Sequence, residues 1–213
     1  GLSINKTIKK LLETSLGIKP QPNKKNLDEF KPFCGVWSKE ELDFFDQTSV
    51  DDFFKTHSFD IVFGCVAKVG GIKANMDDPY GFLFQNLQIQ NNMINACLKA
   101  RSKLIFLGSS CIYPKDYIQP LKEEYLLQAP VEPTNEGYAL AKICGLKLCE
   151  YANKQYGTNF VSLMPCNLYG PGDDYSPDKS HVLGALVSKI VNAKMNGLHE
   201  VEIWGTGEQR REF

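Results

Sequence analysis

The sequence has few of the features that would connect it with a membrane, a disulfide scaffold or a nucleic acid. No apolar run approaches the roughly 18 residues of a membrane span, and no signal-peptide pattern occurs. The 24 basic residues nearly balance the 25 acidic ones, so no overall field attracts polyanions. Seven cysteines, without a C-x-x-C pair, suggest neither disulfides nor zinc. We expect a cytoplasmic globular protein without bound metal, nucleic acid or membrane.

Strand-like and helix-like segments alternate along the chain. Apolar, β-rich runs occupy residues 59–71, 103–107 and 158–165, and helical patterns occupy residues 5–15, 80–100 and 136–156. Strands that alternate with long helices are joined by parallel crossovers. The pattern therefore predicts the α/β class, with a doubly wound, Rossmann-like parallel sheet.

Polar residues follow the predicted strands directly, at the edge where such sheets bind ligands. Ser109 and Cys111 follow the strand at 103–107, and the helix after it carries Tyr138 and Lys142 at positions i and i+4. That spacing places the phenol and the ammonium on one helix face, where the lysine charge can lower the tyrosine pKa. A serine hydroxyl, a tyrosine and a lysine together can hold and protonate a carbonyl oxygen.

The motifs and their order resemble those of the extended short-chain dehydrogenase/reductases. Within that family the chain is similar to the enzymes that epimerise and reduce GDP-4-keto-6-deoxy-D-mannose with NADPH. The matching motifs are VGG (69–71), GSSCIYP (108–114), EPTNEGYALAK (132–142), PCNLYGPGD (165–173), SHVL (180–183) and WGTGEQRREF (204–213). The resemblance implies epimerisation at C3 and C5 and reduction at C4 to GDP-L-fucose. It also implies a homodimer that pairs the helices at 80–100 and 138–156.

The resemblance implies two sets of catalytic residues. Ser109, Tyr138 and Lys142 would form the reductase triad, and Cys111 and His181 the acid/base pair of the epimerisation. Hydrogens at C3 and C5 flank the C4 ketone, so two proton carriers beside the ring can remove and return them through an enolate. A thiol with a pKa of about 8.5 and an imidazole with one of about 6.5 suit that task near neutral pH.

The resemblance also implies ligand contacts. Those to NADP would come from Gly1, Lys39, Ala67, Tyr138, Lys142, Pro165, Asn167, Leu168 and His181, and those to the GDP-sugar from Asn167, Lys189, Trp204 and Arg211. Lys39 would meet the adenosine 2′-phosphate, which favours NADP over NAD. Arg211 offers a bidentate fork for a pyrophosphate, whereas Lys189 stands where the family commonly has arginine and gives a point charge.

The resemblance predicts two domains and leaves alternatives open. Residues 1–165 would be the NADP-binding domain, without the amino-terminal strand and most of the G-x-x-G-x-x-G turn of the family, and residues 166–213 the start of a smaller substrate domain. A 4,6-dehydratase would usually have an Asp-Glu pair at Cys111-Ile112, and a simple 4-epimerase needs neither Cys111 nor His181. The incomplete glycine turn suggests a non-catalytic nucleotide-binding scaffold, but the presence of all the predicted catalytic residues argues against it.

Overall fold

The structure, a computed structural model, describes residues 42–170, 173, 175, 176, 180–203 and 205–208. The described residues up to Cys166 form one compact unit, and those from Asn167 onward belong to a second. The predicted helix at 5–15 and the predicted ligand contacts Gly1, Lys39, Trp204 and Arg211 lie outside the described residues. The division into domains at residue 165 stays a prediction.

The first unit contains a parallel sheet of three strands in its described residues. The strands are β1 (Ile61–Gly64), β2 (Lys103–Leu107) and β3 (Val161–Leu163), in the order β1-β2-β3. In the register, Phe63 lies opposite Ile105, and Ile105 opposite Val161. The parallel pairing confirms the predicted α/β class.

Helices connect the strands and cover the sheet. They are α1 (Gln47–Thr56), α2 (Ile72–Asp77), α3 (Pro79–Ala100) and α4 (Glu136–Tyr156), with 3₁₀-helices at Ser110–Ile112, Glu123–Tyr125 and Pro133–Asn135; the second unit contributes α5 (Val182–Met195). The two predicted long helices are thus confirmed almost to the residue. Gly157 ends α4 in the left-handed region with φ of 65°, a conformation that glycine adopts without strain.

The core lies between the sheet and the helices α3 and α4. Its fully buried members include Met93 and Cys97 from α3, Leu104 and Phe106 from β2, and Cys149 from α4. The strand β1 is less buried than β2, because Gly64 is its one buried residue and Ile61 is 43% exposed. Within the described residues β1 pairs only with β2.

Two glycines allow α4 to pack closely on its neighbours. A Cβ atom at Gly137 would lie 2.7 Å from the carbonyl oxygen of Pro79, at the start of α3. One at Gly145 would lie 2.4 Å from Cζ of Phe106, on β2. Both distances are shorter than real Cβ contacts, so larger residues would push α4 away. The close packing brings the residues of the first turns of α4 to the carboxyl end of β2.

Candidate active site

The backbones of β2 and β3 approach each other where β2 ends. The amide of Gly108 donates to the carbonyl oxygen of Leu163 at 2.8 Å. A Cβ atom at Gly108 would lie 2.6 Å from Sδ of Met164 and 3.1 Å from that same carbonyl oxygen. A larger residue here would have to displace the Met164 side chain and push slightly against the backbone of β3, so glycine allows the two segments that carry the predicted site to approach most closely.

Ser109 begins the turn that follows β2. Its backbone is extended, and its Oγ accepts a hydrogen bond from the amide of Cys111 at 3.4 Å, which caps the 3₁₀-helix at Ser110–Ile112. The amide of Ser110 donates to the carbonyl oxygen of Pro165 at 3.3 Å, after β3. The turn therefore holds Ser109 and Cys111, both half-buried, at the rim of the sheet.

Lys142 is buried beside this turn. The side chain is 4% exposed, and its Nζ donates to the carbonyl oxygen of Leu107 at 2.7 Å, the last residue of β2. Nζ also lies 5.0 Å from the ring centroid of Phe106 and 5.6 Å from that of Tyr138. Burial lowers the pKa of Lys142 to about 8, while the neighbouring thiols of Cys111 and Cys65 oppose the shift.

The phenol of Tyr138 has a raised pKa in this structure. Burial is the main cause, and the neighbouring Cys111 adds to it. The prediction that the net effect of Lys142 is to lower this pKa is therefore wrong. The physical reason is desolvation, which disfavours the phenolate more than a lysine that is itself buried can favour it. Phe82 of α3 supports the ring edge-on, with centroids 6.5 Å apart and planes at 76°.

The thiol of Cys111 also departs from its ordinary acidity. Burial raises its pKa, whereas its hydrogen bond with Ser109 and the charge of Lys142 act in the opposite direction. The ordinary thiol pKa expected from the sequence is therefore too low, because it does not include the burial of this side chain. At neutral pH the group therefore rests as a thiol.

The loop after β1 is held by Asn86, which the sequence reasoning missed. The amide of Lys68 donates to Oδ1 of Asn86 at 2.8 Å, and Nδ2 of Asn86 donates to the carbonyl oxygens of Lys68 at 3.0 Å and of Phe82 at 2.7 Å. Asn86 is 2% exposed. The sequence contains one indication of this role: Asn86, with its polar side-chain amide, stands four residues after Phe82 on the buried face of a helix. This contact fixes the loop that contains the half-buried Ala67.

The other predicted contact residues that the structure describes belong to the second unit. Asn167 is half-buried and Leu168 is exposed. His181 is exposed and directly precedes α5, and its carbonyl oxygen accepts the first helical hydrogen bond. The ammonium of Lys189 donates to the carbonyl oxygen of Glu202 at 2.9 Å. The ligand contacts assigned to these residues stay predictions.

The first unit brings Ser109, Cys111, Tyr138 and Lys142 to the carboxyl end of β2. A hydroxyl, a protonated phenol, a protonated thiol and a buried ammonium at one place can polarise a carbonyl and exchange protons with it. In the part of the chain that the structure describes, no helix is long and apolar enough to cross a membrane. Nor do the described residues include a group of three or more His, Cys, Asp or Glu that could hold a metal ion.

Comparisons with known proteins agree with this arrangement. A model of the "NAD dependent epimerase/dehydratase family" matches residues 6–213. The GDP-L-fucose synthase of Escherichia coli (strain K12) is 48% identical over 177 residues, which are 83% of this chain and 55% of that protein. The chain thus spans about half the length of the curated relatives it matches.

Two solved structures extend the comparison to three dimensions. A GDP-D-glycero-L-gluco-heptose synthase from Campylobacter jejuni, solved in the presence of NADPH, has a TM-score of 0.77 and 34% identity, covering 89% of this chain and 64% of that one. A GDP-L-fucose synthetase from Naegleria fowleri bound to NADP has a TM-score of 0.73 and 27% identity, covering 88% and 62%.

Proposed function

Because the chain belongs to the NAD dependent epimerase/dehydratase family, we propose that it carries the reactive residues of an NADPH-dependent nucleotide-sugar enzyme. The reaction is epimerisation at C3 and C5 of GDP-4-keto-6-deoxy-D-mannose, followed by reduction at C4 to GDP-L-fucose. The observation that carries the proposal is the buried cluster at the end of β2, in which the Lys142 ammonium binds the Leu107 carbonyl beside Tyr138. Identity of 48% with a GDP-L-fucose synthase supports the choice of substrate.

The residues of α4 fit a nicotinamide dinucleotide. The ammonium of Lys142 has three N–H donors, and among the described residues one acceptor is seen, the carbonyl oxygen of Leu107. The remaining donors suit the hydroxyls of a ribose. When bound, NADPH supplies the hydride that C4 receives. Tyr138 holds the proton that the C4 oxygen takes up, because its raised pKa keeps the phenol protonated at neutral pH.

The half-buried Cys111 supplies the proton chemistry of the epimerisation. The C4 ketone acidifies the hydrogens at C3 and C5, and loss of either gives an enolate whose oxygen the hydroxyls of Ser109 and Tyr138 hold. Cys111 returns a proton to the ring carbon, consistent with a resting thiol whose pKa is raised by burial. His181 is the proposed second proton carrier: one member of the pair takes the proton from one face of the ring, and the other gives a proton to the opposite face. Return of the proton to the opposite face inverts the carbon.

Separate tests distinguish the two chemistries. We expect Cys111→Ser to nearly abolish exchange of the C3 and C5 hydrogens with heavy water, because a hydroxyl is a far poorer proton carrier than a thiol. Reduction of a simpler ketosugar should survive better. Tyr138→Phe should lower reduction by about 10²- to 10⁴-fold, because the proton donor is lost. Exchange should continue more slowly, since the enolate loses one hydrogen bond.

Both rates are measured on the complete enzyme, exchange by NMR and reduction by NADPH absorbance. Cys144→Ser is the matched control, because Cys144 is an exposed thiol on α4. Normal exchange in Cys111→Ser, or normal reduction in Tyr138→Phe, would remove the role assigned to that residue. Absence of both reactions in the parent enzyme, with NADPH still bound, would favour the non-catalytic nucleotide-binding scaffold.

NADP is the proposed cofactor, and Lys39 the residue that selects it over NAD. Lys39 lies outside the described residues, so support comes from the resemblance and from neighbours solved with NADPH or NADP. Fluorescence titration should show tighter binding of NADPH than of NADH, and Lys39→Ala should reduce that preference. Equal affinities in the unmutated protein would exclude Lys39 from the site.

A homodimer through α3 and α4 is part of the proposal. The outer faces of these helices expose Tyr80 (74%) and Phe84 (50%), whose rings stack at 5.6 Å, and Leu140, Leu148 and Tyr151. Exposed apolar side chains on two adjacent helices suit a self-complementary interface. Light scattering at micromolar concentration should give a dimer mass for the parent and a monomer for Phe84→Asp with Leu148→Asp. A monomeric parent would contradict the interface.

A cytoplasmic location also belongs to the proposal, supported by the six cysteines the structure describes, among which no disulfide bond is formed. Reduction of a different GDP-sugar is the second candidate function, favoured by the TM-score of 0.77 with the heptose synthase. Assays of GDP-4-keto-6-deoxy-D-mannose and of a GDP-4-keto-heptose in parallel distinguish the two. A higher kcat/KM for the heptose would replace the proposed substrate and keep the proposed chemistry.

A further inference from the structure

Gln90 of α3 makes one buried contact with α4 that neither the sequence motifs nor the proposed mechanism uses. The side chain is 3% exposed. Its Nε2 donates to the carbonyl oxygen of Ala141 at 2.6 Å. Ala141 directly precedes Lys142, so the hydrogen bond joins the two long helices at the level of the buried ammonium.

Stability does not explain a glutamine at this position. Its Oε1 is buried and has no hydrogen-bond partner among the described residues. A buried acceptor without a partner destabilises a fold, and an apolar side chain of similar volume would avoid that cost. Gln90 therefore makes one directional hydrogen bond to α4 but leaves its own oxygen unpaired, which lowers stability. A residue with this combination is better explained by the positioning of α4 than by the stability of the fold.

The contact extends to the ring beneath Lys142. A Cβ atom at Gly145, one turn after Ala141, would lie 2.4 Å from Cζ of Phe106 and 2.9 Å from Oε1 of Gln90. The ring centroid of Phe106 is 5.0 Å from Nζ of Lys142. Gln90, the bare backbone of Gly145 and the ring of Phe106 thus meet at one point on the inner face of α4.

We propose that Gln90 is a positioning residue, which sets the place of α4 along α3 so that the ammonium of Lys142 reaches the carbonyl oxygen of Leu107. Without the hydrogen bond to Ala141, α4 can shift or rotate on its glycine contacts, and the ammonium moves with it. Displacement of a reacting group by about 1 Å can lower a rate about a hundredfold. The catalytic consequence rests on the proposed function, whereas the structural consequence does not.

The test compares two buried amides of the same helix. Gln90→Met keeps the volume and removes the donor. Asn92→Leu is the matched control, because Asn92 is 3% exposed and its Nδ2 donates to the carbonyl oxygens of Phe44 at 2.8 Å and Phe45 at 3.2 Å, away from α4.

We expect Gln90→Met to lower kcat of the complete enzyme about ten- to a hundredfold with KM for the GDP-sugar nearly unchanged. Its unfolding temperature should be equal to that of the parent or higher. Asn92→Leu should lower the unfolding temperature and leave kcat close to that of the parent.

A second measurement needs no turnover. Trace acetylation with acetic anhydride, read by mass spectrometry without nucleotide, reports how accessible the Lys142 amine is. Labelling of Lys142 should rise severalfold in Gln90→Met and stay at the parent level in Asn92→Leu. Gly145→Ala disturbs the contact with Gln90 and Phe106 from the side of α4, so it should also increase the labelling of Lys142. It provides a second variant if Gln90→Met does not fold.

The outcomes separate this inference from the proposed function. Equal labelling of Lys142 in the parent and in the Gln90→Met and Gly145→Ala variants would overturn the positioning role, whatever the activity. The same conclusion follows if Gln90→Met loses stability but keeps its kcat. An inactive parent would refute the proposed function, while increased labelling in the variants would still support the role of Gln90.

Discussion

The buried ammonium of Lys142 should make the stability of the protein depend on pH in a direction opposite to that of an ion-paired lysine. Burial lowers its pKa from 10.5 to about 8. Below pH 8 the folded and unfolded states both carry the proton, so folding bears the full cost of burying the charge. Between pH 8 and 10.5 the folded state releases the proton and the unfolded state keeps it. The free energy of unfolding therefore rises with pH in this window.

The size of the effect follows from the shift in pKa. One unit corresponds to about 1.4 kcal/mol, so the charge of Lys142 costs about 3 kcal/mol below pH 8. Lys142→Met removes that cost. We expect the advantage of the variant over the parent to shrink by about 2 to 3 kcal/mol from pH 7 to pH 10. Other groups titrate in both proteins, so they largely cancel in the difference.

Urea unfolding of both proteins without nucleotide, at intervals from pH 7 to pH 10, measures the difference. Lys147→Met is the matched control for loss of a lysine on α4, because its side chain is 34% exposed and pairs with Glu150. A difference between parent and Lys142→Met that stays constant or grows with pH would refute the assignment of a desolvated ammonium. It would also weaken the proposal that this lysine has donors available for a ribose.

Three further substitutions test the elements around the site. Gly108→Ala places a Cβ atom 2.6 Å from Sδ of Met164, so we expect a loss of about 1 to 3 kcal/mol in thermal unfolding together with a lower rate of reduction; unchanged stability would show that the Met164 side chain can move aside without cost. Asp46→Ala removes the cap of α1, which accepts two backbone N–H bonds, and should lower the free energy of unfolding in urea by about 1 kcal/mol. Asn86→Ala should accelerate hydrogen exchange at the amide of Lys68, whose acceptor is lost; unchanged exchange would mean that the loop is held by other contacts.

Local patterns predicted the elements of this protein well. The apolar periodicity of residues 80–100 and 136–156 predicted the two long helices, because a helix face repeats every three to four residues whatever packs against it. The spacing of Tyr138 and Lys142 and the polar end of β2 predicted which groups would meet, because parallel strands end at the same edge of a sheet. The order of the motifs also indicated the family that the comparison with residues 6–213 confirms.

Tertiary structure alone decided how those groups behave and what holds them. Asn86 and Gln90 bind backbone atoms 18 and 51 residues away in sequence, so local patterns do not show which distant backbone atoms these side chains contact. The raised pKa of Tyr138 contradicts the direction inferred from its spacing to Lys142, because desolvation depends on everything that packs around a group. Residue types and their order specify the candidate chemistry of this protein, whereas packing against distant parts of the chain determines the acidity and the position of each reacting group.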